Sequence, residues 1–404
     1  MIPLFALAIV LLIRRIIRRQ EISPRFTQFL NVLMICLFIG EIFNLCVNLI
    51  EIRKTNNLLY FNYTISENYS TSSLPDSSKP DIFFLVFDEY TNNKTLKKIW
   101  NYNNDEITNW LKNRGFYVPE NTQSNYSYTL FSISSTFNLD YLDAKKGADA
   151  TVVRNVLQAT KSIYENQLFS ILNKEGYSVT LIAPFVDDVQ VILGDNQIYR
   201  QTFPGNIYNT MKWNFEYGKW AGKNETKTVQ DLKDKFSATK QIVQQVEQSA
   251  DSSTQRKPHF VYGHLMSMHL PHMFNASGKI MNSREAKELS ALETYTSQID
   301  FTNKIMKELT EYIQSHNKRN TIIVIEGDHG FRTFRTGSDW VEKTPDSLKK
   351  CFFPNFDAIY FPQKNYSRLY DSMSPVNLFR ILFNEYFQQN IPLLKDSSIL
   401  VKDE

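Results

Sequence analysis

The fold is decided by residues 321–331, TIIVIEGDHGF, where a nearly all-apolar run ends in a turn of acid, histidine and glycine. Apolar side chains on both faces are typical of a strand buried in the middle of a parallel sheet. Residues 81–92, DIFFLVFDEYTN, repeat this pattern and also end in carboxylates. Around both runs, strand-type segments alternate with helix-type segments. The alternation predicts an α/β fold, with helices flanking a mostly parallel central sheet.

Further strands and helices are predicted outward from these two runs. Apolar, β-branched and aromatic residues predict strands at 177–184, 258–266 and 356–362. Amphipathic spacing predicts helices at 105–113, 163–174, 228–248, 284–315 and 374–387. The last of these begins with Ser374 as its cap and Pro375 at its first position.

The first 50 residues carry the signals of a membrane segment. Residues 26–50 are apolar for long enough to cross a bilayer core of about 30 Å, and we predict a transmembrane helix there. Residues 1–13 are also apolar but span only about 20 Å as a helix, so we expect them to be the end of a longer segment. The connector from Arg14 to Arg19 belongs on the cytoplasmic side, because positive charge is retained there.

These signals divide the chain into three predicted parts. Residues 1–50 hold transmembrane helices, residues 51–80 form a Ser- and Asn-rich linker, and residues 81–395 form a catalytic domain. We therefore expect a protein embedded in the cell (inner) membrane, with its large domain in the periplasm or outside the cell.

Charge and cysteine content exclude other classes of protein. The net charge is +3, and the first 56 residues supply the excess with seven Lys/Arg against three Asp/Glu. The nearly neutral remainder has no basic stripe for a nucleic-acid partner. Two of the three cysteines lie in the apolar segment, which leaves Cys351 alone and excludes a disulfide framework in the soluble part.

Acids and a histidine follow the two buried runs. Asp88 and Glu89 end the first run, and Asp328 and His329 end the second. Functional groups gather at the carboxyl ends of parallel strands, where these side chains can hold a divalent cation, Zn²⁺ or Mn²⁺ by preference and Ca²⁺ as a further option. Each turn alone is also compatible with a solvated surface turn. Together the two favour a metal site.

A threonine and a group of histidines complete the candidate site. Thr129 starts a predicted helix, where it is either a nucleophile beside an anion-binding helix end or an N-cap. Residues 258–274 hold four of the six histidines. Of these, His264 and His269 are the better candidates for contacts to a ligand, whereas His259 and His272 are expected to pack as core or surface residues.

The order of these motifs resembles the alkaline phosphatase and sulfatase superfamily over residues 80–395, above all its membrane-bound phosphoethanolamine transferases and lipoteichoic acid synthases. The resemblance implies that Asp88, Thr129, Asp328 and His329 surround a metal and that Thr129 is the nucleophile. A further implied set contacts substrate or a second metal and consists of His264, His269 and Glu89. The Thr-x-x-Ser spacing from Thr129 to Ser132 is similar to the Cys-x-Pro-Ser of sulfatases.

Two departures from the family pattern limit the expected function. The Cys/Ser-x-Pro-x-Arg motif of sulfatases is absent, and no histidine follows Gly330, so Arg332 or Arg335 is expected to bind an anion instead. The resemblance implies metal-dependent transfer or hydrolysis of a phosphoryl or phosphoalkyl group on a membrane lipid or envelope glycan. The alternatives are a sulfatase-like hydrolase of sulfuric esters and a catalytically degenerate protein that binds envelope components.

Overall fold

The structure is a computed structural model of the 404-residue chain. It describes residues 64–142, 153–183, 191–193, 257–268, 272, 274–279, 281, 289–332 and 340–402, with isolated residues between 25 and 39 and between 244 and 248. The chain divides into two compact units, residues 1–58 and 59–404. The described part contains no helix that is both long and apolar enough to span a membrane. Most of the predicted transmembrane segment, residues 26–50, lies outside the described residues.

The described strands form one six-stranded sheet in the order β3-β2-β4-β1-β5-β6. Their bounds are β1 Asp81–Phe87, β2 Ser178–Ile182, β3 Val191–Leu193, β4 His259–Leu265, β5 Thr321–Glu326 and β6 Asp357–Tyr360. The four inner strands are parallel, and each edge strand pairs antiparallel with its neighbour. The predicted mostly parallel α/β fold is confirmed.

Most helices of the described residues lie between these strands in the chain, whereas the first precedes β1 and the last follows β6. Their bounds are α1 Thr64–Asn68, α2 Asn93–Trp100, α3 Asp105–Asn113, α4 Thr129–Asn138, α5 Val153–Tyr164, α6 Gln167–Lys174, α7 Ala291–His316, α8 Trp340–Lys343, α9 Asp346–Lys349 and α10 Pro375–Tyr386. The predicted helix at 105–113 is present as α3. The predicted helix at 228–248 lies almost entirely outside the described residues.

Two predicted helix boundaries were wrong, and local capping explains both. The helix predicted at 163–174 is two helices, α5 and α6, because the Asn166 side chain accepts a hydrogen bond from Phe169 N and starts α6. The helix predicted from residue 284 begins at Ala291. Ser290 and Glu293 form a reciprocal capping box there, which satisfies free backbone N–H groups at the helix start.

Hydrophobic cores lie on both faces of the sheet. On one face, β-strand residues such as Phe84 and Tyr262 pack with α4, α6 and α10. On the other face, residues such as Leu85 and Ile325 pack with α3 and α7. The sheet is therefore buried between two helical layers, which explains why β1 and β5 are apolar on both faces.

The stretch before β1 contacts the α/β domain through one buried acid. Glu175 is fully buried and accepts hydrogen bonds from the Tyr69 hydroxyl at 2.8 Å and the Ser72 hydroxyl at 2.6 Å. Lys79 Nζ lies 3.1 Å from the same carboxylate. Residues 69–79 belong to the predicted linker, and this part of it is held against the domain.

Candidate metal and catalytic site

The candidate site lies at the carboxyl ends of three adjacent strands. β1 lies between β4 and β5, and Val86 is in register with His264 on one side and with Glu326 on the other. Asp88 follows β1 and Asp328 follows β5, each two residues beyond this row. The topology thus brings together residues that are far apart in the sequence.

Asp88, His264 and Asp328 form a group with the spacing of metal ligands. One ligand atom from each lies within 4.8 Å of the others, and all three side chains are completely buried. His264 Nε2 is 3.4 Å from Asp88 Oδ2. Among the residues that the structure describes, none donates a hydrogen bond to the buried Asp328 Oδ2. Carboxylate and imidazole donors around an unsatisfied buried oxygen fit a divalent cation such as Zn²⁺ or Mn²⁺.

His329 extends this group towards Thr129. His329 Nε2 lies 3.7 Å from Asp88 Oδ1 and 3.6 Å from Asp328 Oδ2. His329 Nδ1 is 2.8 Å from the Gly330 carbonyl oxygen, so in the neutral ring Nδ1–H donates to it and Nε2 carries the lone pair. The Nε2 lone pair of His329 therefore lies beside the carboxylates of Asp88 and Asp328, which are predicted to hold the cation.

Thr129 occupies the first turn of α4, with its hydroxyl directed at His329. Its Oγ1 lies 3.2 Å from His329 Nε2. The N-cap of α4 is Tyr128, and no side chain makes a capping hydrogen bond. The interpretation of Thr129 as an N-cap is therefore wrong, and its hydroxyl contacts His329 instead.

Backbone contacts hold the turn of Asp328 and His329 in place. Asp328 Oδ1 accepts hydrogen bonds from Glu89 N at 2.9 Å and from His329 N at 3.0 Å. Ser132 Oγ donates to the Asp328 carbonyl at 2.6 Å, which ties this turn to α4. A Cβ added at Gly330 would lie 2.2 Å from the Cys351 carbonyl oxygen, so only glycine fits here.

Glu89 makes contacts that hold the local structure, whereas the sequence analysis predicted contacts to substrate or a second metal. Its backbone adopts a positive φ of 61°, and its Oε1 accepts a hydrogen bond from Arg332 N at 2.6 Å. The Tyr295 hydroxyl donates to the Glu89 carbonyl at 2.8 Å. Glu89 thereby joins the turn after β1 to the turn after β5.

Burial sets the protonation of His264 and Asp328. Burial lowers the pKa of His264 to about 4, against the opposing effect of Asp328, so the imidazole is neutral at pH 7. Burial raises the pKa of Asp328, whereas His264 and the hydrogen bonds to Asp328 lower it. His264 Nδ1 is 2.6 Å from the Tyr262 hydroxyl, which fixes the orientation of the ring. A neutral, oriented imidazole is the form that binds metal.

Other predicted residues fall near the site or outside the described part. The Arg332 guanidinium lies 5.3 Å from the centroid of the Tyr128 ring, next to Thr129. His269 and Arg335 lie outside the described residues. The sequence analysis missed Tyr262, which a strand's two-residue period places on the same face as His264.

The chain matches the Sulfatase family over residues 100–390, well over half of its length. It therefore belongs to the sulfatase family and is an enzyme of the sulfatase-like type. This assignment confirms the predicted resemblance. A search of curated proteins finds no significant match.

Solved structures with a similar fold include phosphoethanolamine transferases and sulfatases. The C-terminal periplasmic domain of EptC from Escherichia coli, in complex with Zn, is 10% identical over 79% of this chain and 86% of its own, with a TM-score of 0.46. Lipooligosaccharide phosphoethanolamine transferase A from Neisseria meningitidis, an integral membrane protein, is 12% identical over 86% of this chain and 61% of its own. Its TM-score is also 0.46. These likenesses are weak, and the family assignment rests on the sequence match.

Proposed function

We propose that this enzyme transfers or hydrolyses a phosphoryl or phosphoalkyl group through a covalent intermediate on Thr129, with the help of a divalent metal. The observation that carries the proposal is the 3.2 Å approach of Thr129 Oγ1 to His329 Nε2, beside the buried carboxylates Asp88 and Asp328. A free threonine hydroxyl is a weak nucleophile at neutral pH. Its position beside a cluster of metal-binding side chains supplies the activation that it needs.

The residues that would hold the cation are Asp88, His264, Asp328 and His329, with Thr129 Oγ1 beside them. A divalent cation in this position lowers the pKa of a neighbouring hydroxyl and stabilises charge on the transferring group. Zn²⁺ or Mn²⁺ suits this mixture of imidazole and carboxylate donors. The Tyr262 hydroxyl contacts His264 Nδ1, and the Gly330 carbonyl oxygen contacts His329 Nδ1. These contacts orient the two imidazole rings.

The proposed reaction has two steps that balance. The Thr129 hydroxyl gives up its proton to water, its oxygen bonds to phosphorus, and the bond from phosphorus to the leaving oxygen breaks. The leaving alkoxide takes a proton from water. An acceptor hydroxyl or water then attacks phosphorus and releases its proton, the bond to Thr129 breaks, and the threonine oxygen takes up a proton in exchange.

The start of α4 and Arg332 would bind the anionic group of the substrate. α4 begins at Thr129, and the N-terminus of a helix favours an anion. The Arg332 guanidinium lies against Tyr128, the residue before the nucleophile. This contact supports a role for the Arg332 guanidinium in binding the phosphoryl oxygens.

The proposed substrate is a membrane lipid or envelope glycan, and the proposed location of the catalytic domain is the periplasm or the cell exterior. Residues 26–50 support membrane insertion by their length and apolarity. Val32, Ile35 and Ile39 in this stretch are helical, and each is more than half exposed. Apolar side chains exposed in this way suit contact with lipid.

A sulfatase-like hydrolase of sulfuric esters is the second candidate, favoured by the family match itself. Turnover of bis(4-nitrophenyl) phosphate and of 4-nitrophenyl sulfate separates the two candidate functions. Each substrate is assayed with metal-stripped protein and again after the metal is added back. We expect metal-dependent turnover of the diester that Thr129→Ala abolishes. Preferential turnover of the sulfate would favour the second candidate. Turnover of neither by folded, metal-loaded protein would indicate a degenerate binding protein.

A further inference from the structure

Two buried acids face each other at the edge of the sheet, beneath the candidate site. Glu326 ends β5 and Asp357 begins β6, and the two are directly opposite in the antiparallel pair. Their side chains are only 2% and 3% exposed. Directly opposed residues project from the same face of a sheet, so the two carboxyl groups are neighbours.

No ion pair within the described part of the chain offsets these carboxyl groups. Asn355 Nδ2 donates to Asp357 Oδ1 at 3.0 Å, which places the Asn355 amide beside the acids. An uncompensated pair of buried acids is costly unless a proton or a cation neutralises it.

Two oxygens in this cluster are also left without hydrogen-bond donors. Glu326 Oε1 and Asn355 Oδ1 are buried and accept no hydrogen bond from any residue in the described ranges. The Asn355 residue is completely buried, and its backbone is fixed because Thr122 Oγ1 donates to its carbonyl oxygen at 2.7 Å. Because buried polar atoms in native proteins almost always have a partner, these two oxygens point to a ligand.

We propose that Glu326, Asn355 and Asp357 form a second cation site, separate from the group around Asp88, that binds Ca²⁺. Two carboxylates and an amide oxygen are hard ligands of the kind that Ca²⁺ takes, and water can complete its flexible coordination. No sulfur or imidazole from the described residues joins the set, so Zn²⁺ is disfavoured. None of these three residues takes part in the reaction proposed above.

A cation here would join β5, β6 and the loop before β6. β5 leads directly to Asp328, so the ion would fasten the strand end that carries the candidate catalytic turn. We expect Ca²⁺ to raise the thermal midpoint of the protein, since a ligand that binds only the folded state stabilises it.

The test measures Ca²⁺ binding to the full-length protein after EDTA treatment. Asp88→Ala removes a ligand of the candidate catalytic site and should still bind about one Ca²⁺ per chain, with a rise in thermal midpoint. Asp357→Asn keeps the side-chain shape and should lose both effects. Asp81→Asn is the matched control, because Asp81 is an equally buried acid whose charge Arg319 offsets at 3.2 Å.

Two results would overturn the proposal. If Asp88→Ala binds no Ca²⁺ and shows no shift in midpoint, the two acids share a proton instead of holding a cation. If Asp357→Asn binds Ca²⁺ as the parent does, the ion lies elsewhere. Should Asp357→Asn fail to fold, Glu326→Gln takes its place and should lose both effects.

Discussion

Thr129 Oγ1 lies 3.2 Å from His329 Nε2, although the two residues are 200 positions apart in the chain. One starts a helix and the other follows a buried strand, and the Ser132 hydrogen bond to Asp328 joins these two elements. The fold therefore places a hydroxyl against an imidazole whose lone pair faces two carboxylates. This relationship turns a set of separate motifs into one candidate site.

Removing the candidate metal ligands should remove the metal. We expect Asp328→Ala and His329→Ala each to lower bound metal well below the parent level, because each deletes a donor from the cluster. His259→Ala is the matched control: this histidine starts β4 at the opposite end of the sheet, where its Nε2 is 2.7 Å from Thr180 Oγ1. Elemental analysis measures the metal content of each variant. Full occupancy in both ligand variants would remove the proposed site.

Substitution of Thr129 should separate activity from stability. Thr129→Ala is expected to abolish covalent turnover, whereas Thr129→Ser keeps a hydroxyl and part of the rate. Because Thr129 does not cap α4, the free energy of unfolding should change by less than the roughly 1 kcal/mol that loss of a cap costs. Thr136→Ser in the same helix should leave the rate unchanged. Parent-level turnover by folded, metal-loaded Thr129→Ala would direct attention to Ser127, Ser132 or Ser134.

The stability that His259 contributes should fall as the pH is lowered below about 6.5. Burial lowers the pKa of His259 to about 4, so between these values the unfolded chain binds a proton that the native protein does not. Stability from this group is present above pH 6.5 and is lost as the pH falls through 4, on the order of 1–3 kcal/mol. Urea unfolding at pH 7.5 and 5 should show a smaller loss for His259→Gln. An identical loss in both proteins would contradict the assignment.

The topology prediction concerns the side of the membrane on which the large domain lies. The Arg14–Arg19 cluster precedes an apolar segment long enough to span, so a reporter fused after Glu404 should be active outside the cytoplasm. Added protease should then digest the domain in intact spheroplasts. Complete protection of the domain there would refute this topology.

The sequence was sufficient to predict the central strands because β1 and β5 are apolar on both faces, and it was sufficient to predict their acidic ends. It could not predict that His264 lies in the same buried group as Asp88 and Asp328, because that depends on which strand pairs with β1. Nor could it predict that Asn166 divides one helical stretch into two. Pairing and capping depend on contacts that periodicity does not encode.

The Asn355 and Asp357 cluster shows the same limit. Asn355 precedes β6 and Asp357 begins it, and neither residue belongs to a sequence motif that indicates a site. Only the antiparallel pairing of β5 with β6 brings Asp357 opposite Glu326. The sequence-level prediction of a metal site was therefore confined to the strand ends with obvious ligands.

Mass spectrometry of the purified, metal-loaded protein after incubation with membrane lipids tests the central claim most directly. The account predicts a phosphoryl or phosphoalkyl adduct on the peptide that contains Thr129, which is absent from Thr129→Ala and accumulates when acceptor is withheld. Adduct-free Thr129 in protein that is turning over substrate, or an adduct on another residue, would contradict it.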